Sequence, residues 1–384
     1  MDATATGRIP RAFLDMPDPR KRNITHRFTD VLCIALFAVI CGADDWVAVT
    51  AYGLAKLEWL KTFLDLAHGI PSHDTFGRIF ARMDPDAMER CFRSWMESLV
   101  SLSGGKLVAI DGKSLRRSFD HAWDKSGMAH MVSAFARANK LVFAQTKTNG
   151  KGQELSAIEK LLDLLDLEGA VVSIDAIGTQ KGIATKILEA GANYVLQVKD
   201  NQPTLHAKLQ AAMDEAILDR FRSLCSDCFH ETDAGHGRIE ERTLWVCWDC
   251  RELLGDLAGQ WPGLKALIAV ERTRQFTGKD GKPRTSLERS YYIASLDRRT
   301  GAQRLAEYVR GHWSVENNLH WQLDISFRED ERRIRKGHGA ENFSRMCRAA
   351  LNLLKNETTS KVGVANKRRK CGWENDYLLK VIGG

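Results

Sequence analysis

The chain has 384 residues, 44% of them hydrophobic and 27% charged, with a net charge of +7. That length exceeds what one hydrophobic core usually holds and implies two or more structural units, while the absence of long Pro, Ser or Gln tracts excludes a disordered tail. Nine scattered cysteines suit a reducing compartment, and the opening MDATATGRIP lacks the basic flank and apolar block of a secretory signal, so a cytoplasmic location, or that of its partner, is expected.

The first hundred residues predict helices. In THRFTDVLCIALFAVICGA, WVAVTAYGLAKLEWLKTFLDL, SHDTFGRIFARM and PDAMERCFRSWMESLV, apolar residues recur three and four apart, with breaks at HGIPS and MDPD. Ser72, just after Pro71, is the expected N-cap of the third helix. The apolar run VLCIALFAVIC spans residues 31–41, well short of the roughly 20 residues that cross a bilayer, so it predicts a buried helix and no membrane partner. Residues 1–100 are therefore expected to form an N-terminal helical domain. Short helices joined by such turns suit presentation of one helix to a DNA groove, although plain helix packing gives the same pattern.

After SLSGGK the pattern changes. LVAIDGKSLRRS, MAHMVSAFA and KLVFAQTKT read as strands, ELSAIEKLLDLLDL as a helix, AVVSIDAIGTQ as a buried strand, QKGIATKILEAG as a helix and NYVLQVKD as another strand. This succession is an α/β layout, a mixed sheet flanked by helices. From about 205 to 300 a helix, TLHAKLQAAMDEAI, is followed by strands near RIEERTLWVCW, LKALIAVERTRQF and ERSYYIASL, a mainly β insertion. A single helix, AQRLAEYVRGHWSVENNLHWQLDI, is then expected over 302–325.

The positive charge is concentrated. Between Arg328 and Lys370 stand thirteen Lys or Arg against five Asp or Glu, a net +8, and the remainder is nearly neutral. A basic segment of this kind predicts a polyanionic partner, of which nucleic acid is the commonest; the bland alternative is a solvated helix and a basic tail, NKRRK at 366–370.

Two strands end alike, in apolar residues followed by aspartate: LVAID at Asp111 and VVSID at Asp175. Strand ends in α/β sheets are where polar groups converge on a crevice, although an aspartate there can merely cap a turn. In GHWSVENNLHWQLDI the residues His312, Glu316 and His320 recur every four, which puts them on one helical face. Three carboxylates, Asp111, Asp175 and Glu316, make an all-oxygen set suited to Mg²⁺ or Mn²⁺, with two ions serving phosphoryl transfer. The competing set His312, Glu316 and His320 would suit zinc, but it leaves the strand-end aspartates unexplained. Trp313 and Trp321 are expected to pack in the core, with stacking on a displaced base as the alternative. CSDC at 225–228 and CWDC at 247–250 have a zinc-ribbon spacing, so Cys225, Cys228, Cys247 and Cys250 form a candidate structural zinc site. LWVCWDC reads more simply as a strand. Candidate phosphate contacts are Lys113, Arg116, Arg117, Lys199, Arg310, His312, His320, Arg332, Arg333, Arg335 and Lys336.

Taken together, DPRKRNITHRFTDVLCIALFAVICGADDW, GIPSHDTFGRIF, AIDGKSLRRS, SIDAIGTQ, YVLQVKDNQ, GHGRIEERTLWV, YYIASL and RGHWSVENNLHWQLDISFRED resemble the DDE-class insertion-sequence transposases, in particular the group that includes the H-repeat-associated proteins. The resemblance spans nearly the whole chain. It implies an RNase H-like catalytic domain over 101–384, with an insertion at about 205–300 between its second Asp and its Glu and a basic segment at 328–370. Matched position by position, the implied triad is Asp111, Asp175 and Glu316. Related groups carry a Tyr, an Arg and a Lys at set spacings around the Glu; here Tyr308 and Arg310 stand at other offsets, and Leu323 occupies the Lys position.

The expected activity is metal-dependent cleavage of double-stranded DNA at the ends of a mobile element and strand transfer into target DNA, by a homodimer assembled on DNA. The alternatives are an inactive DNA-binding relative and an RNase H-like nuclease that never joins ends.

Overall fold

A computed structural model describes residues 16–22, 24–99, 106–118, 128–137, 140–148, 153–235, 238–277 and 282–383. The opening MDATATGRIP and most of SLSGGK lie outside them. In chain order the principal elements are α1 (Phe28–Ile40), α2 (Trp46–Ala55), α3 (His73–Arg82), α4 (Pro85–Leu99), β1 (Leu107–Ser114), β2 (His130–Ala136), β3 (Leu141–Thr148), α5 (Glu154–Leu164), β4 (Val171–Ile174), α6 (Lys181–Glu189), β5 (Asn193–Val198) and α7 (Pro203–Leu218). They continue with β6 (Ser226–Gly235), β7 (Arg238–Cys247), β8 (Ala266–Thr277), β9 (Pro283–Ala294), α8 (Gly301–His312), a π turn (Glu316–His320), α9 (Trp321–Ile325), α10 (Gly339–Asn356), α11 (Val364–Trp373) and α12 (Asn375–Gly383). The chain is α/β, with helices at its N-terminus and a mixed sheet flanked by helices.

Residues divide into two compact units: 1–101, 112–157 and 315–384 form the first, and 102–111 with 158–314 the second. Strand β1 passes from one to the other between Asp111 and Gly112.

In the first unit α1 is buried at every position but Thr29, which is why its apolar run needs no membrane; no described helix is long and apolar enough to cross one. The helix α3 begins where Ser72 predicts, its hydroxyl accepting from the Thr75 amide at 3.3 Å. Phe76, Ile79 and Phe80 form its buried face, and Trp46 stacks on Phe76 and meets Phe80 and Phe343. The helix α10 is buried along nearly its whole length and packs against α1, α3, α4 and β3. Strands run in the order β3-β2-β1.

In the second unit the strand order is β1-β4-β5-β9-β8-β7-β6. The pairs β1/β4 and β4/β5 are parallel, and β5/β9 and everything beyond are antiparallel. Val171, Val195, Ile268 and Ala294 of the sheet close a core with Leu305, Tyr308 and Val309 of α8.

Four expectations from the sequence need correcting. Strand β6 was not anticipated, because SDCFHETDAG is mostly exposed and lacks an apolar alternation; it forms by pairing with β7 over ten residues. The stretch 46–66 is not one helix but breaks after Ala55. Nor is 302–325 one α-helix: it widens into the π turn Glu316–His320, where the bonding passes from i+4 to i+5. Glu316 and His320 nevertheless still meet four residues apart across the turn, at 3.2 Å. Trp313 and Trp321, expected in the core, are 49% and 52% exposed.

Candidate active site

The second unit supplies two aspartates in register. Strands β1 and β4 pair in parallel from Leu107↔Val171 to Ile110↔Ile174, so the next position on each strand is Asp111 and Asp175. Neighbouring strands lie about 4.8 Å apart, which gives these two residues adjacent backbone positions; β4 ends at Ile174, just before Asp175, whereas β1, expected to end at Asp111, runs on to Ser114. Asp175 keeps an extended backbone, φ −66° and ψ 178°, and its side chain makes no cap bond to the 3₁₀ turn that follows. On β4, two residues earlier, Ser173 Oγ lies 3.1 Å from His312 Nδ1 at the end of α8. His312 is therefore tied to the sheet and is not a ligand partner of the helix it was grouped with.

The first unit supplies the glutamate. Glu316 opens the π turn with its side chain 64% exposed, and its carboxylate lies 3.2 Å from Nδ1 of the buried His320. That hydrogen bond holds the Glu316 carboxyl below its ordinary range against the opposing effect of burial, helped by the charges of His320 and Lys113. His320 is thus a companion of the glutamate and not an exposed phosphate contact.

Lys113 also departs from the expected role. Its side chain is 9% exposed and its ammonium group sits 2.7 Å from Asp324 of α9 and 3.6 Å from Asp330. Burial raises the Asp324 carboxyl while its bond to Lys113 pulls the other way. The lysine two places after Asp111 is consequently an internal tie to the segment eight residues past Glu316. Arg116 pairs with Asp330 at 3.1 Å but stays 75% exposed. Gly112 has a packing reason: a Cβ there would stand 2.4 Å from His130 Nε2. His130 is itself fixed between Ser114 and Glu154, at 2.8 Å from each. Asp324, His130 and Glu154 were missed by the sequence reading, since nothing in their spacing marks them.

The basic candidates separate into two groups. In the second unit Arg310 bonds Glu231 and Asp233 of β6, at 3.2 and 2.9 Å, and Lys199 is exposed just past β5. In the first unit a groove of about 820 Å³ runs between residues 44–47, α3 and residues 328–336. Arg78, Arg82, Arg328, Arg333 and Lys336 are exposed along it. Arg332 also lines it, but its guanidinium donates to the Phe327 carbonyl and lies 4.6 Å over the Phe343 ring. Arg335 donates to the carbonyl of Arg117 at 3.2 Å. Gly337 closes this wall in a left-handed conformation, φ 51°, where a Cβ would lie 2.4 Å from the Ala81 carbonyl of α3. Arg78 and Arg82 could have been found from sequence, because they stand four apart on the face of α3 opposite Phe76, Ile79 and Phe80.

Among the described residues, no three of Cys225, Cys228, Cys247 and Cys250 bring their sulfurs within reach of one ion. Burial pushes the Cys247 and Cys250 thiols up to about 11 and about 12, while Cys225 and Cys228 are exposed.

Comparison with known proteins gives a consistent family. Residues 11–96 match the model described as DDE_Tnp_1-associated, and residues 102–353 the one described as Transposase DDE domain. The chain is 38% identical over 368 residues to "Putative transposase YncI" of Escherichia coli O157:H7, covering 96% of this chain and 92% of that one. It is 36% identical over 371 residues to "H repeat-associated putative transposase YhhI" of Escherichia coli (strain K12), covering 96% of each. A shorter relative from that strain, "Inactive transposase YbfQ", is 36% identical over 67 residues, 17% of this chain and 80% of that one.

Proposed function

The chain belongs to the DDE transposase family, and from that premise we propose that it cuts double-stranded DNA at the ends of its mobile element and joins the freed ends to target DNA. Asp111, Asp175 and Glu316 are the carboxylates that do this, on an RNase H-like core. The observation that carries the reading is the register of β1 against β4, which makes neighbours of Asp111 and Asp175. Chain continuity supports the third member: Glu316 follows four residues after His312, which is bonded to β4, and Lys113, two residues after Asp111, is paired with Asp324 beyond Glu316.

The donor set is hard oxygen and anionic, which fits Mg²⁺ or Mn²⁺ and a pair of such ions. When bound, the metal supplies activation of the attacking oxygen and stabilisation of the leaving one. The protein's own part is positioning. Asp111 and Asp175 are carried on neighbouring strands of the sheet, and Glu316 is oriented by its hydrogen bond with His320. Water attacks the phosphorus at the element end, and the bond to the 3′-oxygen breaks and leaves a 3′-hydroxyl. That hydroxyl then attacks a phosphodiester of the target, whose own 3′-oxygen leaves. The basic groove of the first unit takes the phosphate backbone, Arg333 and Lys336 foremost. Two copies hold the two element ends, in the cytoplasm on the nucleoid.

The test is cleavage of a fragment carrying the element's own end, in Mg²⁺ and in EDTA. Asp175→Asn is expected to lose at least about a hundredfold in cleavage rate while binding the same fragment within about twofold. Near-normal cleavage by that variant would refute the assignment. The name of the shorter relative favours a second reading, a DNA-binding protein without turnover. Binding of the end by the native chain with no Mg²⁺-dependent nicking would establish it, and cutting without joined products would mark a nuclease.

A further inference from the structure

The π turn Glu316–His320 is wider than an α-turn, and widening takes some carbonyls away from their usual amide donors. One carbonyl of the turn, that of Asn318, has a side-chain donor. Lys355 Nζ donates to the Asn318 carbonyl at 2.6 Å and to the Lys140 carbonyl at 2.9 Å, and it lies 5.3 Å from the centre of the Phe135 ring. We infer that Lys355 is a positioning residue, whose side chain ties the turn to α10 and to the residue before β3 and so holds it in the form that aims the Glu316 carboxylate. The inference rests on the reading of Glu316 as a catalytic carboxylate.

Lys355 stands on a firm platform. One turn earlier on α10, Asn352 exchanges two hydrogen bonds with the backbone of Val142, donating to its carbonyl at 2.8 Å and accepting from its amide at 3.0 Å. That exchange fixes α10 against β3. Lys140, immediately before β3, has a left-handed backbone, φ 56°, which turns its carbonyl toward the same ammonium group. A line of contacts therefore runs from a sheet strand through α10 to the middle of the π turn, two residues past Glu316. Burial and the charge of Lys140 push the Lys355 amine down to about 7, so placing it there costs solvation, and charged and neutral forms alike can donate to the two carbonyls. An apolar chain of the same length would pack against Phe135 without that cost. The two carbonyls account for its being lysine.

The experiment compares Lys355→Met and Lys355→Arg with the native full-length chain by amide hydrogen exchange, by Mn²⁺ titration followed by electron paramagnetic resonance, and by DNA cleavage. In Lys355→Met, amides within 316–325 are expected to exchange at least about tenfold faster while those of α3 are unchanged, because only the opening of the turn is affected. The Mn²⁺ concentration for half-saturation is expected to rise about tenfold, and kcat to fall with KM for DNA within about twofold. Lys355→Arg, which keeps the donors, restores slow exchange. Native exchange rates over 316–325 in Lys355→Met would overturn the inference. If Lys355→Met does not fold, Lys355→Gln replaces it, since its amide is too short to reach both carbonyls, and native rates in that variant overturn it equally. A native chain that neither binds Mn²⁺ nor cuts DNA sinks the proposed function, while the exchange rates still decide whether Lys355 holds the turn.

Discussion

The basic residues of the C-terminal segment fall into two populations with opposite uses. Arg328, Arg333 and Lys336 stand exposed along the groove, while Arg345 and Arg348, a few residues on, are 1% and 0% exposed inside the first unit. Arg345 bonds Glu89 and Glu341 at 3.0 and 2.8 Å, and Arg348 bonds Glu329 at 2.9 Å. Glu329 also accepts from Ser344 at 2.7 Å. Farther along, Lys367 donates to the Leu354 carbonyl at 3.0 Å, and Arg368 donates to the carbonyls of Ser326 and Val39. The net charge of +8 over 328–370 is therefore not one footprint for DNA. Part of it is internal structure, and only the part between 328 and 336 faces the groove. A charge count adds both populations together, because it has no term for burial.

The sharpest way to break this division is Arg348→Met, which would leave the Glu329 carboxylate buried without its guanidinium. A loss of about 3–5 kcal/mol is expected, measured by urea unfolding and nearly independent of salt, since the pair is shielded from solvent ions. A change below about 1 kcal/mol would put Arg348 in the exposed population.

Glu357 tests the buried population from its acidic side. Burial pushes its carboxyl up, but bonds from Thr359 and the Tyr377 hydroxyl and from the Thr359 and Ser360 amides outweigh this and hold it down at about 2, below its ordinary 4.5. A depressed carboxylate contributes stability that is complete above its unfolded value and disappears as pH falls through the folded one. The native chain should accordingly lose stability between pH 4.5 and about 2. Glu357→Gln should cost about 1–3 kcal/mol at neutral pH and show a flatter acid limb; an unchanged limb would exclude Glu357 as its source.

The smallest effect on stability belongs to the groove. Arg333→Ala with Lys336→Ala is expected to change unfolding by less than about 0.5 kcal/mol. The same double variant should lower the slope of log affinity for a short duplex against log salt by about 0.9 for each phosphate that is no longer neutralised. An unchanged slope would show that DNA follows another path.

Much of the frame was legible in the sequence, for local reasons. The apolar period gave α1 and α3, Ser72 marked a helix start through its own hydroxyl, and the apolar runs before Asp111 and Asp175 announced β1 and β4, although β1 continues past Asp111 to Ser114. The candidate metal carboxylates were legible too, as residue types at element ends. What escaped were features whose cause lies elsewhere in the chain. Strand β6 exists because β7 pairs with it. The π turn at Glu316 is not encoded by any helix-breaking residue within ENNLH, and one of its carbonyls is satisfied by Lys355, 37 positions away from Asn318. Lys113 looked like a phosphate contact beside Asp111 until Asp324 was found opposite it, 211 positions along.

The sequence by itself determined most of the segments that become helix or strand and that apolar runs lead into Asp111 and Asp175, because those preferences act within a few residues. Only the tertiary structure decided that Asp111 and Asp175 share a register, that Glu316 stands on a widened turn with His320, and which cations meet carboxylates and which meet solvent. Register, burial and ion pairing are properties of groups brought together from distant positions, and no local pattern specifies the partner.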